Sequence, residues 1–146
     1  MSFVYPAARA AAWTGALDLE TAALKALLLG ASTTAAADTD AAVLSDFAAL
    51  AESDAAGYSR QALSGVTVTS DADGAAMGAD DLDFGVLAGA SEAVVAILVI
   101  ADNGGPGSDL PVAYLNEVEA ASIAFPYVPI GRQLEALFPG GKVLDL

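Results

Sequence analysis

The chain has 146 residues, 19 acidic against 5 basic, a formal net charge of −14 at pH 7, 55% hydrophobic residues, and neither cysteine nor histidine. Imidazole and thiol chemistry are excluded, as are disulfides, and the anionic excess argues against nucleic-acid or membrane partners. A chain of this length buries roughly 68–70% of its unfolded surface, so one domain over residues 1–146 is expected, with a core of Leu, Val and Ile because aromatics are only 7%.

Residues 6–13 (PAARAAAW) predict a short helix, with Pro6 in the first turn and alanines following, ended by Gly15. Arg9 and Trp13 lie four apart on it, and their favoured reading is core packing with a stacked guanidinium. Residues 22–29 (AALKALLL) fit a helical turn or a buried strand; the stop at Gly30 favours the strand. Residues 40–50 predict a second helix, capped by Asp40, with Val43, Phe47 and Leu50 on one face.

From Tyr58 to Thr69 apolar and polar residues alternate, a strand pattern with a bulge expected at Gly65. Residues 70–78 read as a hairpin-like loop turning at Asp73-Gly74. Leu82 and Phe84 alternate with Asp81 and Asp83, as in a half-buried strand. Residues 93–101 (AVVAILVIA) are uncharged and rich in β-branched residues, so they predict a central strand covered on both faces. A turn at Asn103-Gly104-Gly105-Pro106-Gly107 leads to a partner strand over 111–116. Pro126 and Pro129 confine 123–130 to a sheet edge or an extended arm, and residues 117–146 are read as a candidate C-terminal arm. A turn is expected at 139–141 and a last short strand over 143–146. The fold class expected is α+β, mainly β: a compact antiparallel sheet or sandwich with one or two short N-terminal helices.

Motifs for chemistry are sparse. Asp71-Ala72-Asp73-Gly74 starts like an acidic calcium loop, yet Leu82 stands where the bidentate glutamate belongs, so a solvated turn is the better reading. Asp71 and Asp73 are the metal candidates, to which Asp80, Asp81 and Asp83 could add oxygens in space. The glycine-rich turn lacks the Lys-Ser/Thr of a phosphate loop. No serine nucleophile motif is present, and no histidine exists to serve one. Neither catalysis nor a cofactor is expected. Arg132, among Phe125, Tyr127 and Phe138, has two readings: an anchor for a partner protein, or a guanidinium lying over core aromatics. The partner reading assigns an interface to Phe3, Tyr5, Phe125, Tyr127, Arg132 and Phe138.

The order of segments resembles a family of small phage virion structural proteins, head-decoration (cement) or minor structural components. Leu24-Lys25-Ala26-Leu27-Leu28 matches its first strand, and Val43-Leu44-Ser45-Asp46-Phe47 a following "F-L/W-S-D-I" stretch. Gly57-Tyr58 with Leu63, Gly65 and Val68-Thr69 matches its "G-Y…L-x-G-x-x-V-T" segment. Ala79-Asp80-Asp81-Leu82-Asp83-Phe84 matches "A-D-D-V-x-F/W". Ala96 to Gly104 and Leu110 to Leu115 match its final hairpin. The likeness runs from about Tyr5 to Asn116. Ile100-Ala101 replaces the family's Tyr-Lys, and the tail after Glu117 lacks its closing strand around a Trp.

The resemblance implies a virion component with no catalysis; the favoured expectation is a protein made in the host cytoplasm and carried on the head surface. Its partners would be the major capsid protein and copies of itself, as a homo-oligomer. The alternatives are a tail or head–tail connector component, and a calcium- or glycan-binding module.

Overall fold

The computed structural model describes residues 1–72, 74–117, 124–138 and 141–146. In chain order the elements are β1 (Phe3–Val4), α1 (Pro6–Trp13), β2 (Leu24–Gly30), a 3₁₀ turn (Leu44–Asp46), β3 (Gln61–Ala62), β4 (Thr67–Asp71), β5 (Gly74–Gly78), β6 (Leu82–Ala88), β7 (Val94–Ala101), β8 (Leu110–Leu115), β9 (Ile130–Ala136) and β10 (Lys142–Asp145). The fold is mainly β, with a single α-helix among the described residues, and its strand pairs are antiparallel.

β7 lies at the centre of a five-stranded sheet ordered β1-β8-β7-β2-β3. Its uncharged side chains fit only a site covered on both faces, and that is where they are. Val94, Ile97, Val99 and Ala101 enter one apolar cluster, while Ala96, Leu98 and Ile100 enter another. β2 divides likewise, with Leu24, Ala26 and Leu28 on one side and Leu27 and Leu29 on the other. Period-2 geometry puts the two clusters on opposite faces of the sheet. Each buried Leu, Ile or Val contributes roughly 1.5–3 kcal/mol of transfer free energy.

The first face is covered by α1 and by the paired β6 and β9, with Met77 of β5 joining the same cluster. The other face is closed by irregular chain carrying Ala35, Ala41, Leu44 and Phe47, with Tyr5 beneath it. Tyr5 Oη donates to Ala35 O at 2.6 Å. Its ring meets Phe3 and Phe47 edge-on at 5.0 and 5.7 Å.

The second expected helix does not form. Only Leu44–Asp46 makes a 3₁₀ turn, because the donors of this segment are taken elsewhere. Leu44 N–H goes to Asp109 O at 3.0 Å and Ser45 N–H to Pro106 O at 2.9 Å. The Asp46 carboxylate takes the N–H groups of Ala42 and Val43 at 3.0 and 3.1 Å. A backbone donor used in this way is lost to an α-helical ladder.

The expected strand from Tyr58 to Thr69 is two short strands in different sheets. β3 ends the five-stranded sheet, and β4 belongs to a three-stranded one ordered β10-β5-β4. The chain swings between them at Gly65, with φ +59°, where a Cβ would lie 2.6 Å from an Asp80 carboxylate oxygen. The hairpin expected over 70–78 is present, with less loop than expected: Asp71 pairs with Gly74, and 74–78 is strand β5.

The alternation of Leu82 and Phe84 inward with Asp81 and Asp83 outward holds. Gly85, with φ +75°, then shifts the register, so that Leu87 turns inward and Val86 outward.

The C-terminal arm is corrected as well. Its described residues are paired and packed: β9 on β6, β10 on β5, and Tyr127 bridged to Val94. Leu134, Ala136 and Phe138 are buried in the core. Pro126 and Pro129 precede β9 and so leave its ladder intact.

Candidate interaction surface

The six residues expected to form one interface do not meet. Phe3 and Tyr5 pack against one cluster, Tyr5 fully buried and Phe3 stacked on Tyr114 at 5.4 Å. Phe125, Tyr127 and Phe138 belong to the opposite cluster. Phe138 is a core residue whose N–H donates to Asp81 Oδ1 at 2.6 Å. Phe125 and Tyr127 are half-buried, and Tyr127 Oη donates to Arg132 O at 3.3 Å. Arg132 alone of the six is exposed.

β6, β9 and the segment before β9 carry exposed apolar residues that the alternation pattern hides. Val86 is 59% exposed, Val128 60% and Ile130 64%. In the β6–β9 ladder Ala88 pairs with Ile130, Leu87 with Arg132 and Val86 with Gln133, so Val86 shares its face with Gln133 and Arg132 lies on the face of Leu87, beyond the buried core. Simple alternation puts Val86 inward after Leu82 and Phe84; the Gly85 bulge reverses it. The only signal in the sequence is the glycine itself.

Trp13 also departs from its expected place. It is 91% exposed, and Arg9 is exposed too. The inward row of α1 starts from Ala8, which packs on the core, so the Arg9–Trp13 row points outward. The two border a groove of about 380 Å³ lined by Val4, Ala8, Ala12, Leu17, Leu19 and Val112.

The cations divide sharply. Lys25 pairs with Asp102 at 2.5 Å, and Lys142 with Asp145 at 2.7 Å. Arg60 grips Glu52 through both Nε and Nη2 at 2.9 and 2.7 Å. Among the described residues, Arg9 and Arg132 are the cations without an ion pair.

Many carboxylates hold loops instead. Asp109, 2% exposed, accepts the N–H groups of Asn103 and Gly105 at 2.8 and 3.0 Å. Asp54 accepts the N–H of Ser91 at 2.8 Å as well as its hydroxyl, and Glu92 accepts Ser32 N–H at 2.7 Å. Hydrogen bonds from Ser91 and Ser32 hold these two carboxyls below the usual carboxylate range.

Of the metal candidates, Asp73 lies outside the described residues, and Asp71 contributes backbone to the hairpin. The nearby acids are engaged: Asp80 with Ser64 Oγ at 2.9 Å, Asp81 with Phe138 N–H, and Asp83 with Gly85 N–H at 2.7 Å. Among the described residues no group of three or more carboxylates is arranged to hold a metal ion. None of their helices is long and apolar enough to cross a membrane. No family model, curated protein or solved structure matches this chain.

Proposed function

We propose that this chain is a non-enzymatic structural component of a phage-type particle, a cement protein that binds the head surface in many copies and stabilises the shell. The observation carrying this reading is the β6–β9 region, where Val86, Val128 and Ile130 are exposed and Arg132 makes no ion pair among the described residues. Exposed apolar side chains and a guanidinium left without an ion pair are residue types that protein interfaces bury at their centres. The resemblance of residues 5–116 to small phage virion structural proteins, head-decoration or minor components, supports the virion reading. Loops pinned by their own carboxylates add a body that stays rigid while it binds.

The mechanism is linkage. A protein that binds the expanded lattice and not its precursor shifts the shell towards the expanded state. Each contact can be weak, because repetition over the lattice raises the total affinity. The remaining acidic surface keeps the particles soluble and apart.

Microscopy of intact particles, with difference maps against particles lacking the chain, tests the reading. Density for many copies on the head surface supports it. A few copies at the particle axis would point to a tail or connector part. A chain found free in the cytoplasm and absent from particles would end the virion reading.

A further inference from the structure

Resting on that reading, we infer that the groove beside α1 is a second docking site, and that it takes an extended segment of the shell subunit carrying an apolar residue and a carboxylate. The β6–β9 surface and this groove share no residue. A chain with both is bivalent and can bridge two neighbouring subunits, which is what a cement function needs.

Shape comes first. The apolar groove does not stand alone: Ala75 and Leu146 also line a trough of about 440 Å³ over the three-stranded sheet, whose walls include Thr67, Thr69 and Lys142. Leu146 N–H donates to Ala75 O at 2.8 Å, so the shared wall is part of the fold. Ala75 and Leu146 thus stand between an apolar groove beside Trp13 and a trough lined by threonine hydroxyls, Lys142 and Asp145. An apolar groove with a polar trough across one wall suits a peptide segment that carries both kinds of side chain.

Charge selects the occupant. Three of the other cations are neutralised within the chain, whereas Arg9 stands beside the groove without an ion pair among the described residues. Its complement is a carboxylate held next to an apolar side chain, with the indole of Trp13 covering both. A second copy is the poorer occupant, because it would bring another net charge of −14 against the same surface.

Trp13 is the only tryptophan in the chain, so a fluorine label on its indole reports this groove alone. The full chain labelled with 5-fluorotryptophan is added to purified expanded particles stripped of it, and co-sedimentation and the fluorine resonance are followed together. The expected result is co-sedimentation with a shifted, broadened fluorine signal. Trp13→Ala and Arg9→Glu should each weaken binding at least about 30-fold, as truncation of a central anchor does. Both side chains are exposed, so unchanged thermal midpoints would confirm intact folding.

Co-sedimentation with an unmoved fluorine signal and full binding by both variants overturns the groove and leaves the cement reading standing. Absence of co-sedimentation by the unaltered chain overturns both. A fluorine shift that depends on the chain's own concentration, without particles, assigns the groove to a second copy and overturns the shell segment.

Discussion

Tyr58 donates its hydroxyl to Glu52 Oε1 at 2.7 Å while accepting the N–H of Leu28 at 3.1 Å, so one oxygen ties the loop before β3 to the middle of β2. Arg60 holds the same Glu52 from the other side. Burial, together with the hydrogen bond to the Glu52 carboxylate, raises the Tyr58 hydroxyl well above its ordinary pKa and keeps it a donor. Tyr58→Phe removes one donor and one acceptor and leaves Leu28 N–H without its partner. Urea unfolding should show a loss of about 1–3 kcal/mol.

Leu98 and Ile130 should respond in opposite ways. Leu98 is fully buried in the central strand, and Leu98→Ala should cost about 2–5 kcal/mol in chemical denaturation. Ile130 is 64% exposed, and Ile130→Ser should change stability by no more than about 0.5 kcal/mol. Its effect should appear in sedimentation with particles, as reduced binding.

Asp109 should prove the main fastener of the turn between β7 and β8. Asp109→Ala orphans the N–H groups of Asn103 and Gly105, and loses about 1–3 kcal/mol in thermal or urea unfolding. Because Asp109 O also receives Leu44 N–H, hydrogen exchange should rise at Leu44 as the turn loosens.

Acid should release the loops held by Asp54 and Glu92. Both have folded pKa values below the reference 3.8 and 4.5, through hydrogen bonds from Ser91 and Ser32. Their stabilisation is therefore complete above those reference values and is lost as pH falls through the lower folded ones. Protonation also relieves the chain's negative self-repulsion, which acts in the opposite direction, so a local probe is the cleaner one. In NMR titrations the Ser91 and Ser32 amide shifts should move with midpoints below 3.8 and 4.5 respectively. Midpoints at or above those values would contradict the bonded geometry.

The strands that depend only on local composition were legible in the sequence. The run of apolar residues in β7 lacks a charge or a breaker, so burial on both faces is the one place for it, and the helix of α1 follows from Pro6 and its alanines. Elements decided by distant partners were not legible. Residues 40–50 carry a helical spacing, but Asp109 O and Pro106 O, far along the chain, take their donors.

The candidate surface divides along the same line. Composition alone determined an anionic body without imidazole or thiol, and hence the chemistry it lacks. Tertiary structure decided which side chains reach solvent. Phe138 is core because β9 pairs with β6, and Val86 is surface because a glycine bulge reverses its parity. Trp13 is surface because α1 meets the core through the row that includes Ala8. Alternation and helical period fix relative faces along an element; only packing against the rest of the chain fixes which face turns inward.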